Sequence, residues 1–530
     1  MTPDPATLPD APAPQLSPLR VAIALLVVLA AAAGAFFLLR GASASEAAGG
    51  GAAAGKGPWF APYVDATLTP TTPFQDRASN PARDVVLGFV VAGTQPGQSC
   101  TPTWGTYETL DGAATTMDLD RRIAQLRGRG GDAVISFGGL ANSELAVACD
   151  SPTALRRAYR AVISRYAADT VDFDVEGAAL TSAAANLRRA RAIAAIQADV
   201  RAHKRHLAVW LTLPATPQGL DAGALEVVRT TLAAKVDLAG VNVMTMDFGV
   251  PSAADDMRGA IESSLNATRR QLAALFGRAR VRLNSAHLWR KLGATVMIGQ
   301  NDTAGEQVTV ADARALARWV AGHRLGRASL WSLNRDQQCG VTFAVIGTHS
   351  NLCSGVAQKP LQFSKAFAHV LRGTARASAS AITTPDLLPE ATTETVDDPA
   401  RSPYPIWQPQ ESYREGYKVV WHQAVYVAKW YSQGATPDAD NVTADNSPWR
   451  LVGPVLRTDH APRIPTLRPG TSPAWAVTKV FRAGDRVLYR GLPYQASWYT
   501  QGDVPGAAGD SGAPSPWKPL YRIPGEPVDG

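Results

Sequence analysis

From about Trp59 to Arg372 the chain alternates short apolar runs with amphipathic helical stretches, and few folds accept that order. The strand candidates are 60–66, 84–92, 132–138, 170–176, 207–213, 237–245, 293–298 and 328–333. Most are continuously apolar and rich in Val, Ile, Leu and Phe, as parallel strands covered on both faces require. The stretches between them carry periodic apolar faces. After Asp118, the residues Leu119, Ile123 and Leu126 fall on one side. Ser151-Pro152 supplies an N-cap and a first-turn proline ahead of Leu155, Tyr159, Val162 and Tyr166. Eight such β-then-α units predict an α/β fold, the closed (β/α)8 TIM barrel. An open doubly wound sheet is the alternative, but the Gly-rich phosphate turn expected after its first strand is missing.

Beyond the barrel, residues 374–402 form a Ser/Thr/Ala/Pro/acidic linker without periodicity. An internal repeat follows. Trp407, Gly416, Tyr426, Trp430, Tyr431, Gly434, Pro437, Pro448 and Trp449 recur at one constant offset as Trp475, Gly484, Tyr494, Trp498, Tyr499, Gly502, Pro505, Pro516 and Trp517. So regular a recurrence marks a duplicated module. The copies are short, aromatic and rich in Pro and Gly, with too few aliphatics for a large core. The expected units are an N-terminal segment 1–57, a barrel 58–373, the linker 374–402, a first module 403–455, a second linker 456–470 and a second module 471–523.

The N-terminal segment holds an uncharged apolar run, Val21–Leu39, bounded by Arg20 and Arg40 and long enough to span a bilayer as a helix. It is either a signal cut after Ala42-Ser43-Ala44 or a retained membrane anchor after a long Pro-rich lead. Residues 41–57 are an Ala/Gly/Ser spacer. Either reading sends the barrel out of the cytoplasm, to a secreted, cell-surface or periplasmic location. Four cysteines in an exported chain favour two disulfides, Cys100 with Cys149 and Cys339 with Cys353. Free buried thiols are the alternative. The formal charge of +7 comes from arginines scattered along helix faces with no basic block, which argues against a nucleic-acid partner. A monomer without cofactor or metal is expected.

The densest chemistry is Asp169-Thr170-Val171-Asp172-Phe173-Asp174-Val175-Glu176. Side chains in a strand alternate faces, so Asp172, Asp174 and Glu176 point the same way, into the barrel, with Glu176 at the C-terminal mouth. Three carboxylates in that space crowd one another and raise the proton affinity of at least one, which suits a general acid near neutral pH. A metal site or a purely structural carboxylate cluster is the competing reading.

This run is a complete D-x-x-D-x-D-x-E and resembles the signature of family 18 glycoside hydrolases, the chitinases. Ser136-Phe137-Gly138-Gly139 on strand three, Met244-Thr245-Met246-Asp247 on strand six and Trp331 on strand eight are similar to that family's supporting motifs. Phe60-Ala61-Pro62-Tyr63-Val64-Asp65 and Met297-Ile298-Gly299-Gln300-Asn301-Asp302 look like its bacterial branch. The resemblance covers about residues 58–372. It implies retaining hydrolysis assisted by the substrate's own N-acetyl group. Glu176 would be the acid and then the base. Asp174 would orient the acetamido N–H, with Asp172 behind it. Asp247 would bond the distorted sugar, Trp331 would stack beneath it, and Tyr63, Met244 and Met246 would line the site. One departure stands out: the family often has Tyr before the strand-six Asp, where this chain has Met246, with Phe248 after it. Only about thirty residues separate strands seven and eight, so the small insertion of deep-cleft members is missing and an open groove for internal cleavage is expected.

The repeats, Tyr426 to Gly434 and Tyr494 to Gly502, resemble carbohydrate-binding modules of families 5 and 12, small all-β domains that stack sugars on exposed aromatics. In Trp430-Tyr431 and Trp498-Tyr499, strand alternation would put at least one ring of each pair outside. Trp407, Trp449, Trp475 and Trp517 are either mini-core or surface. The expected partners are chitin and chitooligosaccharides, and a membrane if the N-terminal helix is uncleaved. Two rivals remain open. One is a catalytically silent chitin lectin, which typically loses the acid that this chain keeps. The other is an endo-β-N-acetylglucosaminidase acting on N-glycans or peptidoglycan.

Overall fold

Short Val/Ile/Leu-rich runs bury both faces in a parallel sheet covered on each side, and this chain closes that sheet into a ring. The computed structural model describes residues 57–340, 349–375, 396–439, 445–464, 466–506 and 515–527. The run Val21–Leu39 and most of the linker 374–402 lie outside these residues. Among the described residues no helix is long and apolar enough to cross a membrane.

Seven continuous parallel strands, Val85–Ala92, Ala133–Gly138, Thr170–Asp174, Ala208–Thr216, Leu238–Thr245, Leu292–Met297 and Arg327–Trp331, follow one another around the barrel. The first strand closes the ring in two pieces. Trp59–Phe60 pairs with Arg327–Ala328, and Tyr63–Asp65 pairs with Val86–Gly88. The observed strands coincide with the sequence expectation to within a few residues, with one consequence for the chemistry. Strand four stops at Asp174, so Glu176 sits just past the strand end rather than on it.

Helices cover the barrel as their apolar spacing requires. Leu119–Gly128 buries Leu119, Ile123 and Leu126, and Pro152–Arg165 starts on Ser151, whose hydroxyl accepts from Ala154 N–H at 3.3 Å. Both expected disulfides form, Cys100–Cys149 and Cys339–Cys353. The segment between strands seven and eight holds only a two-residue hairpin pair, Gly299–Gln300 with Gln307–Val308, and the helix Val310–His323. No wall is built there, and the barrel mouth stays open.

Each repeat folds as a three-stranded antiparallel sheet with a two-stranded companion. The first has Lys418–Trp421, Ala424–Ala428 and Trp449–Pro454, and the second Arg486–Tyr489, Leu492–Ala496 and Trp517–Pro519. Trp407, Trp449 and Trp517 are buried and Trp475 is half-buried, so these four form the mini-cores.

Candidate active site

The strand-four carboxylates are not left to repel one another. Asp172 is fully buried and accepts four hydrogen bonds: Oδ2 from Tyr63 OH (2.8 Å) and Ser136 Oγ (2.8 Å), and Oδ1 from Thr212 Oγ1 (2.7 Å) and Arg327 Nη1 (2.5 Å). Arg327 is itself fully buried, donates to Tyr63 OH (2.9 Å) and Ser329 Oγ (2.9 Å), and lies over the rings of Trp59, Tyr63 and Trp210. Burial would discharge the guanidinium, but Asp172 outweighs it and holds its pKa above the ordinary value. A buried ion pair with its remaining lone pairs satisfied is the arrangement in which both members stay charged. The crowding expected of the three carboxylates is relieved at the innermost one, which pairs with a cation. The guanidinium is the cation that Asp172 holds. Among the described residues no group of three His, Cys, Asp or Glu is placed to hold a metal.

That leaves Asp174 and Glu176 to share a proton. Burial first, then Glu176 and Asp172, push Asp174 well above the carboxylate range, while Arg327 pulls the other way. Glu176 is pushed up to about 7, by burial first, with its hydrogen bond to Asp174 opposing and the Asp247 charge adding. The two titrate as a pair that holds a proton at neutral pH. Asp174 Oδ1 is buried and, among the described residues, has no hydrogen-bond partner. It lines the groove, so it is an acceptor waiting for an N–H or O–H from a ligand. Gly138 makes room for this edge. Its φ is +100°, and a Cβ there would lie 2.0 Å from Asp174 O.

Asp247 enters from the loop after strand six, at φ +50°. Its Oδ1 accepts from Thr303 N–H (2.8 Å), and its own N–H donates to Asn301 Oδ1 (3.3 Å). The next two N–H groups, of Phe248 and Gly249, donate to the carboxylate of Glu306 at 2.8 and 2.7 Å, and Glu306 is buried. Burial first, with Asp302 adding, raises the Asp247 pKa against the Thr303 backbone N–H.

Asp174, Glu176 and Asp247 line one groove of about 490 Å³ with Tyr63, Met244, Met246 and Trp331, and Asp172 lies outside it. Trp331 ends strand eight and stacks on Phe89 (5.7 Å, 22°), forming an aromatic floor with Tyr63. Phe248 packs into the core, while Met246 lines the groove, so a thioether stands where the family's hydroxyl would be. Thr295 also lines it. Its Oγ1 accepts from Asn242 Nδ2 (2.6 Å). Tyr107, 78% exposed, stands at the rim.

Arg327, Thr212 and Glu306 were not read from the sequence. A lone Arg opening the otherwise uncharged strand Arg327–Trp331 was the available signal for the first. Thr212 and Glu306 carried none. On the repeats, Trp430 and Tyr431 are 44% and 64% exposed, and Trp498 and Tyr499 are 45% and 63%. Both rings of each pair face solvent, because the pairs lie in bends after Ala428 and Ala496 and not in strands where alternation would hide one.

Residues 474–518 match the model of carbohydrate-binding module family 5/12. Over 293 residues the chain is 31% identical to a probable bifunctional chitinase/lysozyme of Escherichia coli (strain K12), covering 54% of this chain and 32% of that protein. It is also 31% identical over 291 residues to endochitinase 11 of Metarhizium anisopliae, covering 53% of each. The chain thus spans from about a third to about half the length of these curated relatives. Among solved structures it is similar to the catalytic domain of a hyperthermophilic chitinase from Pyrococcus furiosus, with 26% identity and a TM-score of 0.50, covering 60% of this chain and 97% of that one.

Proposed function

We infer that this chain is a chitinase of the family 18 type, which hydrolyses β-1,4-N-acetylglucosamine linkages within chitin and carries a family 5/12 carbohydrate-binding module. The earlier repeat is a second such module. The observation that carries this reading is the proton-sharing pair Asp174–Glu176 at the barrel mouth, beside an unpartnered buried acceptor and above an aromatic floor. A sugar with an N-acetyl group supplies the N–H that Asp174 Oδ1 lacks, and an apolar ring face for Trp331.

The reaction follows from those placements. Glu176 donates its proton to the glycosidic oxygen while the substrate's acetamido oxygen attacks the anomeric carbon, and the leaving sugar departs. Asp174 holds the acetamido N–H and stabilises the positive oxazolinium. Glu176, now a carboxylate, takes a proton from water as it attacks the same carbon, which restores the acid and retains the anomeric configuration. Asp172, ion-paired with Arg327, lies behind Asp174 and helps to raise its pKa. Thr295 is the hydroxyl that polarises the acetamido oxygen in place of the tyrosine.

A silent lectin has no use for a protonated carboxyl at Glu176, which supports the enzyme over that rival. The similarity to a chitinase/lysozyme keeps peptidoglycan as a competing substrate, and the repeated exposed aromatics favour an insoluble polymer. Two disulfides and the run Val21–Leu39 support export. Protein from the native host with a mature start at Ser45 in culture fluid would mean a cut signal and not an anchor. The test of function is release of soluble sugars from colloidal chitin and from peptidoglycan by residues 57–530, beside Glu176→Gln. Chitin hydrolysis by the wild type alone, with polymer binding kept in the variant, is expected. Comparable turnover in both proteins, or action on peptidoglycan only, would overturn the assignment.

A further inference from the structure

The first repeat is bolted to the barrel, and the bolts are missing from its duplicate. The helix Leu119–Gly128 presents Asp118 and Arg121, 2% and 4% exposed, to the first repeat. Asp118 accepts from Tyr404 OH (2.7 Å) and Lys418 Nζ (2.5 Å). Arg121 grips Asp459 with two bonds of 2.8 and 3.2 Å and donates to Pro454 O at 2.8 Å. Tyr404 lies under both cations, 6.0 Å from the Arg121 guanidinium and 5.3 Å from Lys418 Nζ. The backbones also approach closely: a Cβ on Gly453 would lie 2.6 Å from Arg121 O, so only glycine fits. Unlike a surface ion pair, this network is desolvated and bidentate, the geometry in which charge pairs hold two surfaces in one register.

The duplicate is an internal control. At the repeat offset, Tyr404 becomes Ser472, Gly453 becomes Tyr521 and Asp459 becomes Pro527, and only the charge of Lys418 survives, as an exposed Arg486. Val452, buried in the first copy, corresponds to Leu520, 38% exposed in the second. Duplication produced two equal modules, and the residues that reach the barrel exist in one of them. Mini-core requirements do not explain the difference, because Trp407, Tyr426 and Trp449 recur in both copies.

We propose that the first repeat is a fixed part of the catalytic body, whose exposed pair Trp430–Tyr431 meets the insoluble polymer in one set orientation to the groove, while the second repeat, which touches the first through Gly525 O (from Lys418 N–H, 2.9 Å) and Pro527 O (from Arg414 Nη2, 3.4 Å), carries none of these bonds to the barrel and adds attachment. This rests on the chitinase reading above. A platform held in register delivers chain to the active site, whereas a freely tethered one only raises local concentration.

Two measurements on the full chain test it. In calorimetry, barrel and first repeat should unfold in one transition. Asp459→Arg, which sets like charge against Arg121, should split them, and Arg121→Asp with Asp459→Arg should rejoin them. On substrates, Asp459→Arg should lose about threefold to tenfold on crystalline polymer with soluble-oligomer kcat/KM unchanged, because tethering survives and orientation does not. The paired swap should restore the crystalline rate. If Asp459→Arg misfolds, Tyr404→Phe gives the same effects at smaller size. A first repeat that melts separately in the wild type, or equal losses on both substrates in a folded variant, would overturn the inference. Wild-type protein inactive on every chitin substrate would sink the functional reading, while the calorimetric coupling would still decide the docking.

Discussion

Glu176→Gln should make the protein more stable than the wild type, and increasingly so as pH rises. The wild-type carboxyl goes from an ordinary 4.5 in the unfolded chain to about 7 in the fold, by burial first and with the Asp247 charge adding. The folded state therefore binds the extra proton between those values. Its favourable contribution is complete below about 4.5 and is lost as pH rises through about 7. The gap of about 2.5 pH units, at about 1.4 kcal/mol each, corresponds to about 3 kcal/mol. Glu176 is partly open at the mouth, so solvent absorbs some of this and about 2 kcal/mol is expected. Gln keeps the shape and carries no charge, so it escapes the loss. Asp174 adds in the same direction, because removing Glu176 removes one cause of its raised pKa. Thermal unfolding of both proteins from pH 4 to pH 8.5 should give nearly equal Tm at the acid end. The variant should be about 4 °C ahead at the alkaline end. A Tm difference that is flat across this range would refute the claim that burial holds a proton on the pair.

Removing the cation beneath the dyad, Arg327→Met, should cost about 3–5 kcal/mol by leaving Asp172 buried and unpaired. Adding Asp172→Asn should recover part of it, measured by denaturant unfolding. Glu306→Gln should lower kcat more than it raises KM on a soluble oligomer, because the N–H groups of Phe248 and Gly249 lose the carboxylate that fixes the Asp247 loop. Comparable changes in both parameters would assign Glu306 to binding. Thr295→Val should reduce kcat with little change in KM if its hydroxyl polarises the acetamido oxygen, and an unchanged kcat would remove it from the mechanism. Ending the chain after residue 461, which keeps the docked repeat, should reduce turnover of crystalline chitin while sparing soluble oligomers. Tyr499→Ala should do the same more weakly.

The barrel was legible because parallel strands buried on both faces leave an apolar signature, and most of the eight runs had one. Asp172, Asp174 and Glu176 were legible because a two-residue period converts directly into a shared face. What the sequence did not disclose depends on closure. Arg327 lies 155 residues from Asp172, and only the ring of strands brings strand eight beneath strand four. The spacing therefore suggested three crowded carboxylates where there is one ion pair and one shared proton. The docked repeat was hidden for the same reason. Tyr404 and Lys418 reach Asp118, and Asp459 reaches Arg121, across the whole linker, so a segment read as a spacer precedes a rigid contact. Strand alternation predicted at least one exposed ring in Trp430-Tyr431, and a bend exposes both.

The central claim, a retaining hydrolase with Glu176 as its acid and base, is tested most directly by the anomer first released from a chitooligosaccharide, followed by proton NMR before mutarotation. The wild type should release the β-anomer, with kcat/KM falling on the alkaline side of about pH 7 as the dyad loses its proton, and Glu176→Gln should release no product. The α-anomer first, or the β-anomer at an undiminished rate from Glu176→Gln, would contradict it.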